Sequence, residues 1–109
     1  MILDELVISI DTKDIRTIEN VHVVFKKSFG FPKFYGENFH ALVDCLSSLR
    51  YPEDEMTEVS ISFKQIIVLK FSDFITLSEK IRYFILSAIH EVNKREKMKG
   101  NKEMIYLLI

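Results

Sequence analysis

The run Gln65-Ile66-Ile67-Val68-Leu69-Lys70-Phe71 is almost wholly β-branched, aliphatic or aromatic. A strand with one wet face alternates apolar and polar side chains, whereas a strand covered on both faces does not. This run is therefore predicted to be a fully buried central strand. On its C-terminal side, Thr76 and Glu79 have capping-box spacing ahead of the longest helical pattern, in which Ile81, Phe84, Ile85, Ala88, Ile89 and Val92 form an unbroken apolar stripe. The basic residues between Lys94 and Lys99 complement the dipole at that helix's C-terminal end, and Gly100 stops it. Residues 104–109 then read as a third buried strand.

On the N-terminal side, residues 58–63 alternate weakly and are expected to be either an added edge strand or an ordered loop. Pro52 and the acidic cluster Glu53, Asp54, Glu55 and Glu58 mark a surface loop. Asn38 can cap a helix running to about Leu49, with Phe39, Leu42, Leu46 and Leu49 on one stripe and Cys45 beside them. Before it, Thr17 can cap a helix carrying Val21, Val24 and Phe25, closed by Gly30 and Pro32. Leu6, Ile8 and Ile10 mark a first strand over residues 5–11, buried on at least one face. Strands separated by helices predict an α/β fold: a small, mainly parallel, three-stranded sheet with right-handed crossovers.

At 109 residues the chain is expected to form a single domain, residues 1–109, with a core that needs neither disulfide nor structural metal. Fifteen basic against sixteen acidic residues leave a net charge of -1, which supplies no global attraction to nucleic acid or to an anionic membrane. Cys45 is the only cysteine. No intramolecular disulfide can form, and a reducing compartment fits. Met1-Ile2-Leu3-Asp4-Glu5 lacks the basic start and apolar core of a leader, and no apolar run approaches membrane-spanning length, so a cytoplasmic location is expected.

Function is expected on the helix after Asn38. Residues four apart return to nearly the same direction, so His40, Val43, Asp44 and Ser47 project from an arc distinct from the core stripe. A carboxylate in mid-helix and off the core stripe gains little structurally, which singles out Asp44. His40 and Asp44 have the spacing of an acid/base pair, with Cys45 as a nucleophile. Against this, Cys45 points toward the core, no second histidine is near in sequence, and there is no phosphate-cradling Gly-rich loop; no catalytic role is assigned. Adjacent side chains diverge on a helix, so Asp44 and Cys45 do not make a metal site, and no cofactor is implied. The basic run near Lys94 lacks interleaved aromatics, so no direct nucleic-acid contact is expected. Asn38 as a helix cap and Gly36 as a turn residue able to take positive φ have complete structural explanations. Tyr35 could equally be a half-buried aromatic with its hydroxyl satisfied locally, and His22 and His90 read as surface or boundary residues.

The stretch Phe31-Pro32-Lys33-Phe34-Tyr35-Gly36-Glu37-Asn38-Phe39-His40-Ala41-Leu42-Val43-Asp44-Cys45-Leu46 closely resembles the signature of the barstar family. There, an apolar-Pro turn and an aromatic pair precede Tyr-Gly-Glu-Asn and a helix of the form apolar-x-Ala-Leu-x-Asp-Cys-Leu. The segment from Ile10 to Lys27, including Ile15-Arg16, Ile18, His22 and Lys26-Lys27, and the terminal strand also resemble the family. The resemblance implies an intracellular inhibitor of a bacterial ribonuclease toxin, an immunity protein that blocks the enzyme's active site with the helix of residues 38–49 and its preceding loop. A cleft built for phosphates is basic, and a rigid helix offering carboxylates can occupy it.

Carried over by position, Asp44 matches the family's principal inhibitory carboxylate, Tyr35 and Gly36 match the loop that meets the enzyme, and Asn38 opens the helix. Phe34 replaces a contacting Tyr, His40 replaces a second helix carboxylate, and Val43 replaces a contacting Trp. The partner-binding set expected on this basis is Phe34, Tyr35, Gly36, Asn38, His40, Val43, Asp44 and Ser47, with Glu91 added from the long helix by register. The three replacements imply a target other than the prototype's, with the acidic loop at Glu53 to Glu58 able to restore local negative charge. The free protein is expected to be a monomer. The alternative is a barstar-like binding module for a partner that is not a nuclease.

Overall fold

A computed structural model describes residues 4–109; Met1 to Leu3, read above for the lack of a leader, lie outside it. The helices and strands follow the order β1 (Asp4–Ile10), α1 (Ile18–Phe29), α2 (Phe39–Ser47), β2 (Gln65–Phe71), α3 (Glu79–Met98) and β3 (Ile105–Leu108), with short 3-10 turns at Thr12–Asp14, Pro52–Asp54 and Phe74–Thr76. The sheet order is β1-β2-β3 and both pairings are parallel. The predicted α/β class and the central place of β2 are both found, and the sheet is wholly rather than mainly parallel, but β2 is not fully buried: Lys70 is exposed and Gln65 and Val68 are half-buried.

Register fixes what each strand buries. Leu6, Ile8 and Ile10 stand opposite Ile67, Leu69 and Phe71, and Ile105 and Leu107 lie on the same rows. With side chains alternating between faces, this set points toward the helices, and all of it but Leu6 joins or packs against the core of Phe25, Phe29, Leu42, Leu46, Ile85 and Val92. Val7, Val68 and Tyr106 share a row on the opposite face. Val7 and Tyr106 there are exposed. Both outer strands are therefore wetter than predicted: Leu6 is still exposed and burial on β1 is complete only at Ile10, while β3 buries Ile105 but exposes Leu108. Apolar residues on an edge strand need not be covered, and the run of residues alone does not say which strand is central.

Helix α1 begins as predicted. Thr17 Oγ1 accepts from the Asn20 N–H at 3.1 Å, and Asn20 Oδ1 accepts from the Thr17 N–H at 3.2 Å, closing a capping box. It ends at Gly30, which is left-handed at φ +72°, and a Cβ there would fall 2.5 Å from Glu58 Cβ. Glycine is needed at that position for both reasons. The predicted capping box at Thr76 does not form. Thr76 lies in a 3-10 turn and its hydroxyl donates to the Asp73 carbonyl, so Ser78 caps α3 instead, accepting from the Ile81 N–H at 3.3 Å.

Residues 58–63 are a loop. Their N–H groups go to the end of α1 and to the turn after α2 rather than to the sheet: Glu58 and Val59 donate to the Phe29 carbonyl at 3.0 and 3.1 Å, and Ile61 donates to the Leu49 carbonyl at 2.9 Å. The last carbonyls of a helix have no partner inside it, and this segment satisfies that of Phe29.

A buried charge cluster not foreseen in the sequence ties α2, β2 and α3 together. Arg50 and Glu96 have side chains 0% and 1% exposed and form an ion pair at 3.2 Å. Arg50 also donates to the carbonyls of Lys102 and Gln65, each at 2.9 Å. Glu96 accepts from the Tyr51 hydroxyl at 3.0 Å, and Lys99 lies over the Tyr51 ring at 4.2 Å from its centroid. Next along α3, Asn93 holds the start of β3 by accepting from the Met104 and Ile105 N–H groups and donating to the Ile105 carbonyl.

Candidate functional site

Helix α2 starts where the sequence indicates. Asn38 Oδ1 accepts from the Ala41 N–H at 2.8 Å, and its amide donates back to the Gly36 carbonyl at 3.3 Å. The left-handed residue of this turn is Glu37 at φ +50°, not Gly36. At Gly36 a Cβ would stand 3.2 Å from Asn38 Nδ2, so the capping side chain would have to give by a few tenths of an ångström. Glycine thus protects the geometry with which the helix begins.

The preceding loop divides its two aromatics. Phe34 is 75% exposed, whereas Tyr35, expected among the contact residues, is buried and turned inward. The Tyr35 hydroxyl lies 2.5 Å from His22 Nδ1 on α1, and its ring packs at 4.8 Å from that of Phe31. His22, read as a surface or boundary residue, is itself buried, with Phe84 of α3 edge-on to it. Burial holds the His22 pKa below its ordinary value, with Glu37 opposing, and pushes that of Tyr35 up, helped by Cys45 and Glu37. A neutral imidazole and a protonated phenol result, so the hydroxyl donates to Nδ1. The pair fastens the loop to α1.

This pair has a pH signature. In the unfolded chain His22 gains a proton near its ordinary value of about 6.5, while in the fold its lowered pKa keeps it neutral. Below that value the unfolded state binds more protons, so stability contributed at neutral pH is lost as pH falls. Urea unfolding from pH 7.5 to 5.5 is expected to show a steeper decline for the wild type than for His22→Asn. Equal slopes would contradict the assignment.

On α2, Asp44 and His40 are exposed and Ser47 is half-buried, but Val43 is 2% exposed. Its expected place on the outward arc is corrected because α3 packs along that side of α2, leaving an open groove of about 750 Å³ lined in part by Phe39, His40, Val43, Tyr83, Glu91 and Arg95. Glu91 lines this groove from α3. Among the residues not anticipated is Arg95, whose Nη1 donates to Asp44 Oδ1 at 2.9 Å and to Ser47 Oγ at 3.3 Å. The Ser47 hydroxyl in turn donates to the Val43 carbonyl at 2.6 Å. Positions 83, 87, 91 and 95 share one side of α3, but the sequence alone does not show that this side meets α2.

The Cys45 thiol is buried beneath this surface and pushed up to about 11, first by desolvation and then by Asp44. It stays protonated at neutral pH, which disfavours nucleophilic chemistry. Among the described residues, no cluster of three or more His, Cys, Asp or Glu is placed to hold a metal ion. No helix among them is long and apolar enough to cross a membrane.

A parallel three-stranded sheet backed by helices, with a capped helix and its loop at one side, defines a small α/β protein. Residues 5–107 match the family model described as Barstar (barnase inhibitor), and the chain belongs to that family. It is a barnase-inhibitor-like protein.

Proposed function

We propose that this chain is the immunity protein for a bacterial ribonuclease toxin, acting in the cytoplasm as a single-domain monomer that covers the toxin's active site with α2 and the loop before it. The observation that carries this reading is Asp44, a carboxylate 58% exposed in the middle of α2, at the position that the sequence resemblance matches to the family's inhibitory carboxylate. Its ion pair with Arg95 is solvent-exposed and so worth little, which leaves the carboxylate available to cations in a phosphate-binding cleft. Phe34, Gly36 and His40 extend the same edge, and Glu91 borders it from α3. Tyr35 and Val43 support this edge from beneath by fixing the loop and the groove floor, and exposed Asn38 fixes the helix start.

The test is co-expression with the ribonuclease encoded beside the gene. Cells that produce the toxin are expected to survive only when the chain is present. The absence of a neighbouring toxin, together with failure to protect against any ribonuclease toxin, would overturn the proposal. A second reading, a binding module for a partner that is not a nuclease, is favoured by the partial neutralisation of Asp44 by Arg95. Recovery of a non-nuclease partner in stoichiometric amount by pull-down would support it.

A further inference from the structure

We propose that Arg95 is a specificity-determining residue of the inhibitory surface, and that the ribonuclease presents an acidic side chain to it, next to the cations that meet Asp44. The inference rests on the reading of Asp44 as the inhibitory carboxylate. Three features of the structure lead to it.

First, Asp44 is not a lone anion. Its Oδ1 accepts from Arg95 Nη1 at 2.9 Å, leaving Oδ2 without a protein donor among the described residues. Second, Arg95 is only partly satisfied. Its contacts to Asp44 and Ser47 both use Nη1, and Nε and Nη2 donate to nothing among the described residues. Water serves them while the side chain is 43% exposed. Third, the pair is held in place: the Ser47 hydroxyl is fixed to the Val43 carbonyl, and Glu96, next to Arg95 on α3, is locked to buried Arg50.

An enzyme that covers Asp44 must also cover Arg95, since the two side chains touch. A cleft offering only cations would draw the carboxylate away and leave a desolvated guanidinium beside like charges, which is costly. A surface that offers a cation to Oδ2 and a carboxylate to Nη2 and Nε satisfies both halves of the pair. The guanidinium's planar fork suits such a carboxylate in bidentate geometry. The partner is thus selected by a paired pattern of charge, not by basicity alone, and enzymes with a purely cationic cleft are rejected.

The two kinds of cleft predict opposite signs. The ribonuclease encoded beside the gene, made inactive by substitution, is titrated with the wild-type chain and with Asp44→Ala, Arg95→Ala and Arg95→Glu, each checked for folding by thermal unfolding. Arg95→Ala is expected to weaken binding roughly tenfold and Arg95→Glu by roughly a hundredfold, on the scale of close interfacial charge pairs. Unchanged or tighter binding by the Arg95 variants, with Asp44→Ala still weak, would overturn the role of Arg95 alone. No effect of Asp44→Ala, or no complex with the wild type, would overturn the underlying reading and this inference with it.

Discussion

Glu96→Ala is expected to destabilise the fold by about 3–5 kcal/mol, the scale for removing one partner of a buried ion pair and leaving the other charge uncompensated. Arg50 cannot turn to water, since its side chain is fully buried, and its Nε already lacks a partner. The Tyr51 hydroxyl loses its acceptor in the same step. A domain of this size has only about 5–15 kcal/mol of net stability, so a large share of it would be lost. The double replacement Arg50→Met with Glu96→Leu is expected to recover much of that loss, because apolar residues of similar volume avoid desolvating two charges. Urea unfolding of the two variants checks both statements. A loss below about 1 kcal/mol for Glu96→Ala would show that the cluster is not structurally important. Because Glu96 adjoins Arg95, the cluster also holds α3 in the position that pairs Arg95 with Asp44.

Asp44→Ala is expected to weaken the complex with the ribonuclease by about 2 kcal/mol or more, the general scale of hot-spot truncations, a class in which the family's prototype is itself a known example. Two contributions add: the enzyme's cations lose their anion, and Arg95 is left in the interface without its nearest partner. The change is expected mainly in the dissociation rate, since truncating one member of a buried charge pair affects residence more than encounter. Asp44→Asn keeps the shape and separates charge from packing. An unchanged dissociation rate for Asp44→Ala would move the binding surface off α2.

The legible and illegible parts of this molecule differ by a physical criterion. Features set by local geometry are legible directly: the Thr17 cap, the Asn38 cap, the Gly30 terminus and the apolar run Ile66 to Leu69 within β2 are each decided by residues within a few positions of one another. Features set by contacts distant in sequence could not. Val43 was placed outward because a single helix cannot reveal that α3 covers its flank. His22 reads as a surface or boundary residue in the sequence because its partner, Tyr35, lies on another segment. Arg50 and Glu96 are separated by 46 positions and look like ordinary surface charges until the fold joins them. The candidate site is therefore half legible: its frame and Asp44 were visible, but the Arg95 that modifies Asp44 was not.

Inhibition of a ribonuclease by α2 and its loop is tested by the rate of RNA cleavage by the enzyme encoded beside the gene as purified protein is added. Activity is expected to vanish at molar equivalence with the wild-type chain, and to persist well beyond it with Asp44→Ala. Undiminished cleavage in a large molar excess of the folded wild-type chain would contradict this inhibition.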